Sequence, residues 1–89
     1  MLKARESYRT IKILIEAGSI KKLSELFDHI SLEVVAEDLG ISHNRLRYKL
    51  GNIGKFTINE LCNMADLFEV EEMKIVDLAH AQHLSNKGF

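Results

Sequence analysis

From Ile20 onward the apolar side chains recur at intervals of three and four, and no stretch alternates for long with a period of two. That spacing places them on one stripe of a helix but on both faces of a strand. A chain patterned this way buries its apolar residues by packing helix on helix, so an all-α domain is expected. The exception is Ile11, Ile13 and Ile15, whose alternation keeps a short edge strand open as the rival to a helix. The chain has 89 residues, the size of a single domain with little interior left for a deep substrate cavity.

Local signals divide the pattern into segments. Ser7 is a candidate N-cap for a first helix carrying Tyr8, Ile11, Leu14 and Ile15, with Gly18 as its stop. Ser19 opens a second stripe of Ile20, Leu23, Leu26, Phe27 and Ile30. Ser31 opens a third, with Leu32, Val35, Ala36 and Leu39 inward and Glu33, Glu37 and Asp38 outward, ended by Gly40. Ser42 caps a fourth helix through Leu50, with Leu46 and Leu50 inward, and Gly51-Asn52-Ile53-Gly54 is a turn. Thr57 and Glu60 have the spacing of a capping box ahead of Ile58, Leu61, Cys62, Ala65 and Phe68. Glu71 and Glu72 favour the positive end of a last helix with Ile75, Leu78, Ala79 and Gln82 inward. Residues 85–89 are expected to fray.

Several function classes drop out on composition. One cysteine, Cys62, makes neither an internal disulfide nor a zinc cage, and on its apolar stripe it reads as a core thiol. The longest apolar run is three residues, far short of the ~20 that span a bilayer, and the first residues lack a secretory pattern. A cytoplasmic protein, not associated with membrane, is expected. Asp77, His80 and His83 recur three apart, but exposed histidines near a helix end are the simpler account than a metal site, and His29 reads the same way. Gly51-Asn52-Ile53-Gly54-Lys55 lacks the glycine spacing and hydroxyl of a phosphate loop. No nucleophile, base and orienting group cluster, so neither enzyme activity, a cofactor nor a small-molecule substrate is expected.

Charge is more informative than its net value of −1. Between Ser42 and Phe56 lie Arg45, Arg47, Lys49 and Lys55 with no acid, while from Thr57 onward six acids face two lysines. Such a cationic island is either a solvated face or a field that selects a polyanion. It coincides with the sharpest bend in the pattern. Gly40 suits the left-handed residue that ends a helix, Ile41 suits an apolar plug, and Ser42 restarts the chain. Ala36 leaves room for a crossing helix and Leu46 seals the other side, which defines a helix-turn-helix.

Residues 32–51, LEVVAEDLGISHNRLRYKLG, resemble the helix-turn-helix of the phage-repressor-like (lambda repressor and Cro) DNA-binding family, and GKFTINELCNMADLFEV resembles its fourth helix and the entry to its fifth. The resemblance implies a five-helix lambda-repressor-like domain over residues 19–84, with the helix-turn-helix at 32–50 and an additional N-terminal helix in the extension 1–18. It implies that the helix from Ser42 lies in the major groove of double-stranded DNA. Ser42, His43, Asn44, Arg47 and Tyr48 match the base-contact positions, where arginine pairs with guanine and asparagine with adenine. Arg45, Lys49, Asn52 and Lys55 match backbone-holding positions. About four phosphates per subunit would give a logarithmic salt slope near −4 at ~0.9 per contact.

The implied activity is sequence-specific DNA binding by a small bacterial or phage transcriptional regulator acting through operator occupancy. The implied assembly is a homodimer on half-sites about 34 Å apart. Its candidate surfaces are the first helix (Tyr8, Ile11, Leu14, Ile15) or Met73 and Val76, each of which also reads as core. Two positions depart from the family. Leu32 and Glu33 stand where a phosphate-gripping polar residue is usual, and Lys49 stands where an apolar residue is common. They motivate the alternative, a non-catalytic protein-interaction module, antitoxin-like or an assembly partner, on the same fold.

Overall fold

The computed structural model describes residues 2–88, with side-chain environments from Glu6 onward. Among them are five α-helices and two short 3-10 turns, and no strand. The helices are α1 (Leu2–Glu16), α2 (Leu32–Leu39), α3 (His43–Gly51), α4 (Ile58–Phe68) and α5 (Glu72–Asn86). The 3-10 turns are Leu23–Asp28 and Ile53–Lys55. None of these helices is long and apolar enough to cross a membrane.

At Ile11, Ile13 and Ile15 the helix prevails over the strand. Ile11 and Ile15 are four apart and buried, whereas Ile13 points outward and is 60% exposed. Ser7 is not the N-cap, because the strong helix formers Lys3, Ala4, Arg5 and Glu6 start α1 further back at Leu2. The face carrying Ile11 and Ile15 is core, and half-buried Tyr8 meets Phe68 edge-on with ring centroids 5.5 Å apart. Of the first-helix residues expected as a possible dimer surface, Ile11 and Ile15 are buried, and Tyr8 and Leu14 are half-buried against the core. Tyr8 also donates its hydroxyl to Asp38 at the end of α2, and burial together with that acceptor pushes its phenol well above the usual range.

The stripe from Ser19 to Ile30 forms a 3-10 turn over Leu23–Asp28 rather than a full α-helix. Ser19 belongs to the end of α1, its amide bonding to the Leu14 carbonyl at 2.9 Å, and Lys22 is extended. A three-residue period brings Leu23 and Leu26 onto one side, and both are fully buried.

The inward face of α4 is half-buried Leu61 with buried Met64, Ala65 and Phe68. Ile58, expected inside, is 71% exposed, since it is the first helical residue and lies off that seam. Cys62 is half-buried rather than core, and its thiol donates to the carboxylate of Glu72. That bond, then burial, raises the thiol's pKa. In α5, Ile75, Leu78, Ala79 and Gln82 face inward as the spacing predicts.

The C-terminal residues are tied down further than expected. Helix α5 continues to Asn86, whose side-chain amide donates to the Leu50 carbonyl at 2.8 Å. Lys22 reaches Ser85 Oγ at 3.0 Å. Gln82 accepts from the Ser24 amide at 2.9 Å and donates to Asn86 Oδ1 at 2.9 Å. This relay fastens the first 3-10 turn and the end of α3 to one buried glutamine, and no buried side-chain nitrogen or oxygen among the described residues lacks a partner.

Candidate nucleic-acid interface

Two caps and a left-handed glycine set the bend between α2 and α3. Ser31 Oγ accepts from the Glu33 amide at 3.2 Å and starts α2. Gly40 ends it at φ 76° and ψ 26°, in the region where a side chain is disfavoured. The Ile41 amide bonds to Ala36 O at 3.0 Å and the Gly40 amide to Glu37 O at 3.1 Å, the paired bonds of a Schellman close. Ser42 then turns the chain, its hydroxyl accepting from the Arg45 amide at 3.1 Å as the N-cap of α3. Ala36 and Leu46 are both buried where the two helices meet, as their spacing predicts.

Leu46, Lys49 and Leu50 form the inner side of α3. Its outer side carries His43, Asn44, Arg45, Arg47 and Tyr48, all exposed, with Ser42 exposed at the cap. Asn44, Arg47 and Tyr48 stand three and four apart and share one face. Tyr48 holds 54% of its surface open, a large aromatic for a helix of nine residues to leave outside. No acid interrupts this surface. Ser42 is the member already committed, through its capping bond.

Lys49 is a correction to the phosphate-contact set. It is 5% exposed, ion-paired with Glu60 on α4, and its ammonium lies 5.9 Å from the centre of the Phe56 ring. A lysine so enclosed holds α3 to α4 and does not reach a phosphate. Glu60 also accepts from the Thr57 amide at 2.9 Å, while Thr57 Oγ1 accepts from the Glu60 amide at 3.1 Å, completing the capping box. Burial disfavours the Glu60 charge, but the bonds from Lys49 and Thr57 outweigh it and hold the carboxyl below its usual range.

Asn52, in the same set, donates from Nδ2 to the Tyr48 carbonyl at 2.9 Å and so finishes the last turn of α3, leaving its side-chain oxygen for other partners. Arg45 and Lys55 are exposed, with Lys55 on the 3-10 turn that follows α3. With Lys49 neutralised by Glu60, the free cations of the island are Arg45, Arg47 and Lys55.

Compared with protein-family models, curated proteins and solved structures, the chain matches none. The candidate interface thus stands on its own geometry. Sequence reasoning missed the two residues that anchor α3 from outside the motif. Glu60 was legible only as a cap. Asn86, thirty-six positions from the Leu50 carbonyl it holds, gave no signal at all.

Proposed function

We propose that this protein is a lambda-repressor-like, sequence-specific binder of double-stranded DNA that regulates transcription by occupying an operator. The observation that carries the proposal is the outer surface of α3. Five consecutive-turn residues with hydrogen-bonding or cationic side chains (His43, Asn44, Arg45, Arg47 and Tyr48) stand exposed on it with no acid among them.

In the mode proposed, the N-terminal half of α3 enters the major groove. Arg47 makes two hydrogen bonds to a guanine edge and Asn44 two to an adenine edge, each worth about 1–3 kcal/mol of discrimination. His43, Ser42 and Tyr48 add single contacts. Arg45 and Lys55 lie toward the backbone, holding phosphate and setting register, and the second N–H of the Asn52 Nδ2 donates there. The dipole of α3 helps, since its N-terminus faces the polyanion. A single helix of this length reads few base pairs, so two copies on a two-fold site complete the specificity. Regulation by occupancy needs no catalytic group, and none is assigned.

A second reading is favoured by Glu33, which is exposed in the first turn of α2, where a DNA backbone would pass. On that reading the same fold is a non-catalytic protein-interaction module. Selection of bound sequences from a random duplex pool separates the two. DNA binding predicts a two-fold consensus with half-site centres about one helical turn apart. Failure to enrich any sequence with folded protein leaves the interaction module.

A further inference from the structure

We infer that the groove between α1 and α2 docks a second copy of this chain. The groove has a volume of about 1350 Å³ and is lined also by the last residues of α4. Its α1 wall carries Arg9 and Lys12 with one acid, Glu16, whereas α2 and the end of α4 contribute Glu37, Asp38 and Glu69, and Val34 and Leu67 are also in the lining. Yet the one ion pair among the described residues is Lys49–Glu60, so these opposing charges are not satisfied across the gap. At the α1 lip, Ile13 exposes 60% of its surface although it lies between two buried isoleucines of the same helix.

A wall of net positive charge across from acids, with apolar side chains in the same groove, makes a self-complementary patch. A two-fold rotation brings each positive wall against the other copy's acids, which is what an isologous interface requires. In that arrangement α1 of each protomer seats in the groove of the other. Ile13 covers the partner's Val34 and Leu67, and Arg9 and Lys12 meet the partner's Glu37 and Glu69. A partner with charge of a single sign leaves one wall of the groove unmatched. None of the groove residues belongs to α3 or to the turn carrying Lys55, so docking leaves the proposed DNA face open. The inference shares with the proposed function only the two-copy stoichiometry.

Sedimentation of the full chain without DNA, from micromolar to millimolar, tests it directly. The wild type is expected to reach twice the 10.2 kDa chain mass, and Ile13→Glu to weaken the dimer about tenfold or more, as loss of a central apolar anchor does. Arg9→Glu/Lys12→Glu and Glu37→Lys/Glu69→Lys are each expected to be folded monomers by circular dichroism, and to form a heterodimer when mixed. A monomer at every concentration overturns the inference. So does a dimer that survives Ile13→Glu but dissociates on Met73→Glu. Because no DNA is present, either result leaves the α3 reading to its own test.

Discussion

Lys49 on α3 and Glu60 on α4 form an ion pair in which the lysine side chain keeps 6% of its surface and the glutamate 25%. The pair joins the helix that presents the candidate DNA face to the capping box of the helix beneath it. Each partner has a different fate when the other is removed. Glu60 reaches water and can remain charged, whereas Lys49 is enclosed.

Removing the glutamate is therefore the costlier change. Glu60→Ala strands a buried ammonium and breaks the capping box, and is expected to destabilise the fold by about 2–4 kcal/mol. Lys49→Met keeps the packing against Phe56 and leaves an acid that solvent reaches, so its effect is expected within about 1 kcal/mol, of either sign. Urea unfolding of both variants checks the asymmetry. Equal losses would contradict it.

The same pair sets an acid limit. Glu60 is held below its ordinary value of 4.5, so the unfolded chain takes up this proton before the folded one does. Its stabilisation is present above that value and is lost as pH falls through the lower folded value. Glu60→Gln keeps the capping geometry but has no charge to titrate. The urea midpoint of this variant is expected to fall less steeply with acid than that of the wild type, measured from about pH 6 to about pH 3.

Two glycines predict opposite outcomes for one substitution. An added Cβ meets nothing within 4 Å at either Gly40 or Gly51, but Gly40 has φ +76°. Gly40→Ala thus carries only the left-handed backbone cost, about 1–2 kcal/mol of destabilisation. Gly51 is the last residue of α3, where alanine is the better helix former, and Gly51→Ala is expected to stabilise by about 0.5 kcal/mol. Thermal melts of the two variants test the sign.

These contrasts also mark how far the sequence could be read. Ser31, Gly40, Ser42 and the Thr57–Glu60 pair act on neighbours within four positions, so residue type and spacing reveal their roles. Ala36 and Leu46 follow from the bend those residues make. Lys49 is different, because a lysine on a short cationic helix reads as surface until a partner eleven positions away, across a turn, is known. Ile58, expected inside, is exposed, and Met64, which the expected stripe does not include, is buried, for a similar reason. The position of the α4 seam depends on which helices cover it, and no local signal fixes that. Ile20 to Ile30 shows that a three-and-four pattern alone does not separate one long helix from a 3-10 turn entered from an extended residue. On the candidate site, the exposed residues of α3 were legible, whereas their anchors at Glu60 and Asn86 were not.

On the proposed DNA face, Arg47→Ala is expected to cost about 1–3 kcal/mol on the selected sequence and to relax discrimination at the contacted base pair. Its effect on folding is expected within about 0.5 kcal/mol, because the side chain is exposed. Competition between the selected duplex and single-base variants reads both effects. An equal loss on all sequences would reassign Arg47 to the backbone.

Fluorescence anisotropy of a labelled mixed-sequence duplex, titrated with protein over a series of salt concentrations, tests the central claim most directly. With Lys49 buried and Arg47 assigned to a base edge, Arg45 and Lys55 are the cations left for phosphate, so the logarithmic slope is expected near −2 per subunit at ~0.9 per contact. Binding is expected to vanish in Arg45→Glu/Arg47→Glu while the helical spectrum is retained. Absence of binding by folded wild-type protein at low salt, or binding that ignores both salt and the charge reversal, would contradict the claim that the outer face of α3 meets DNA.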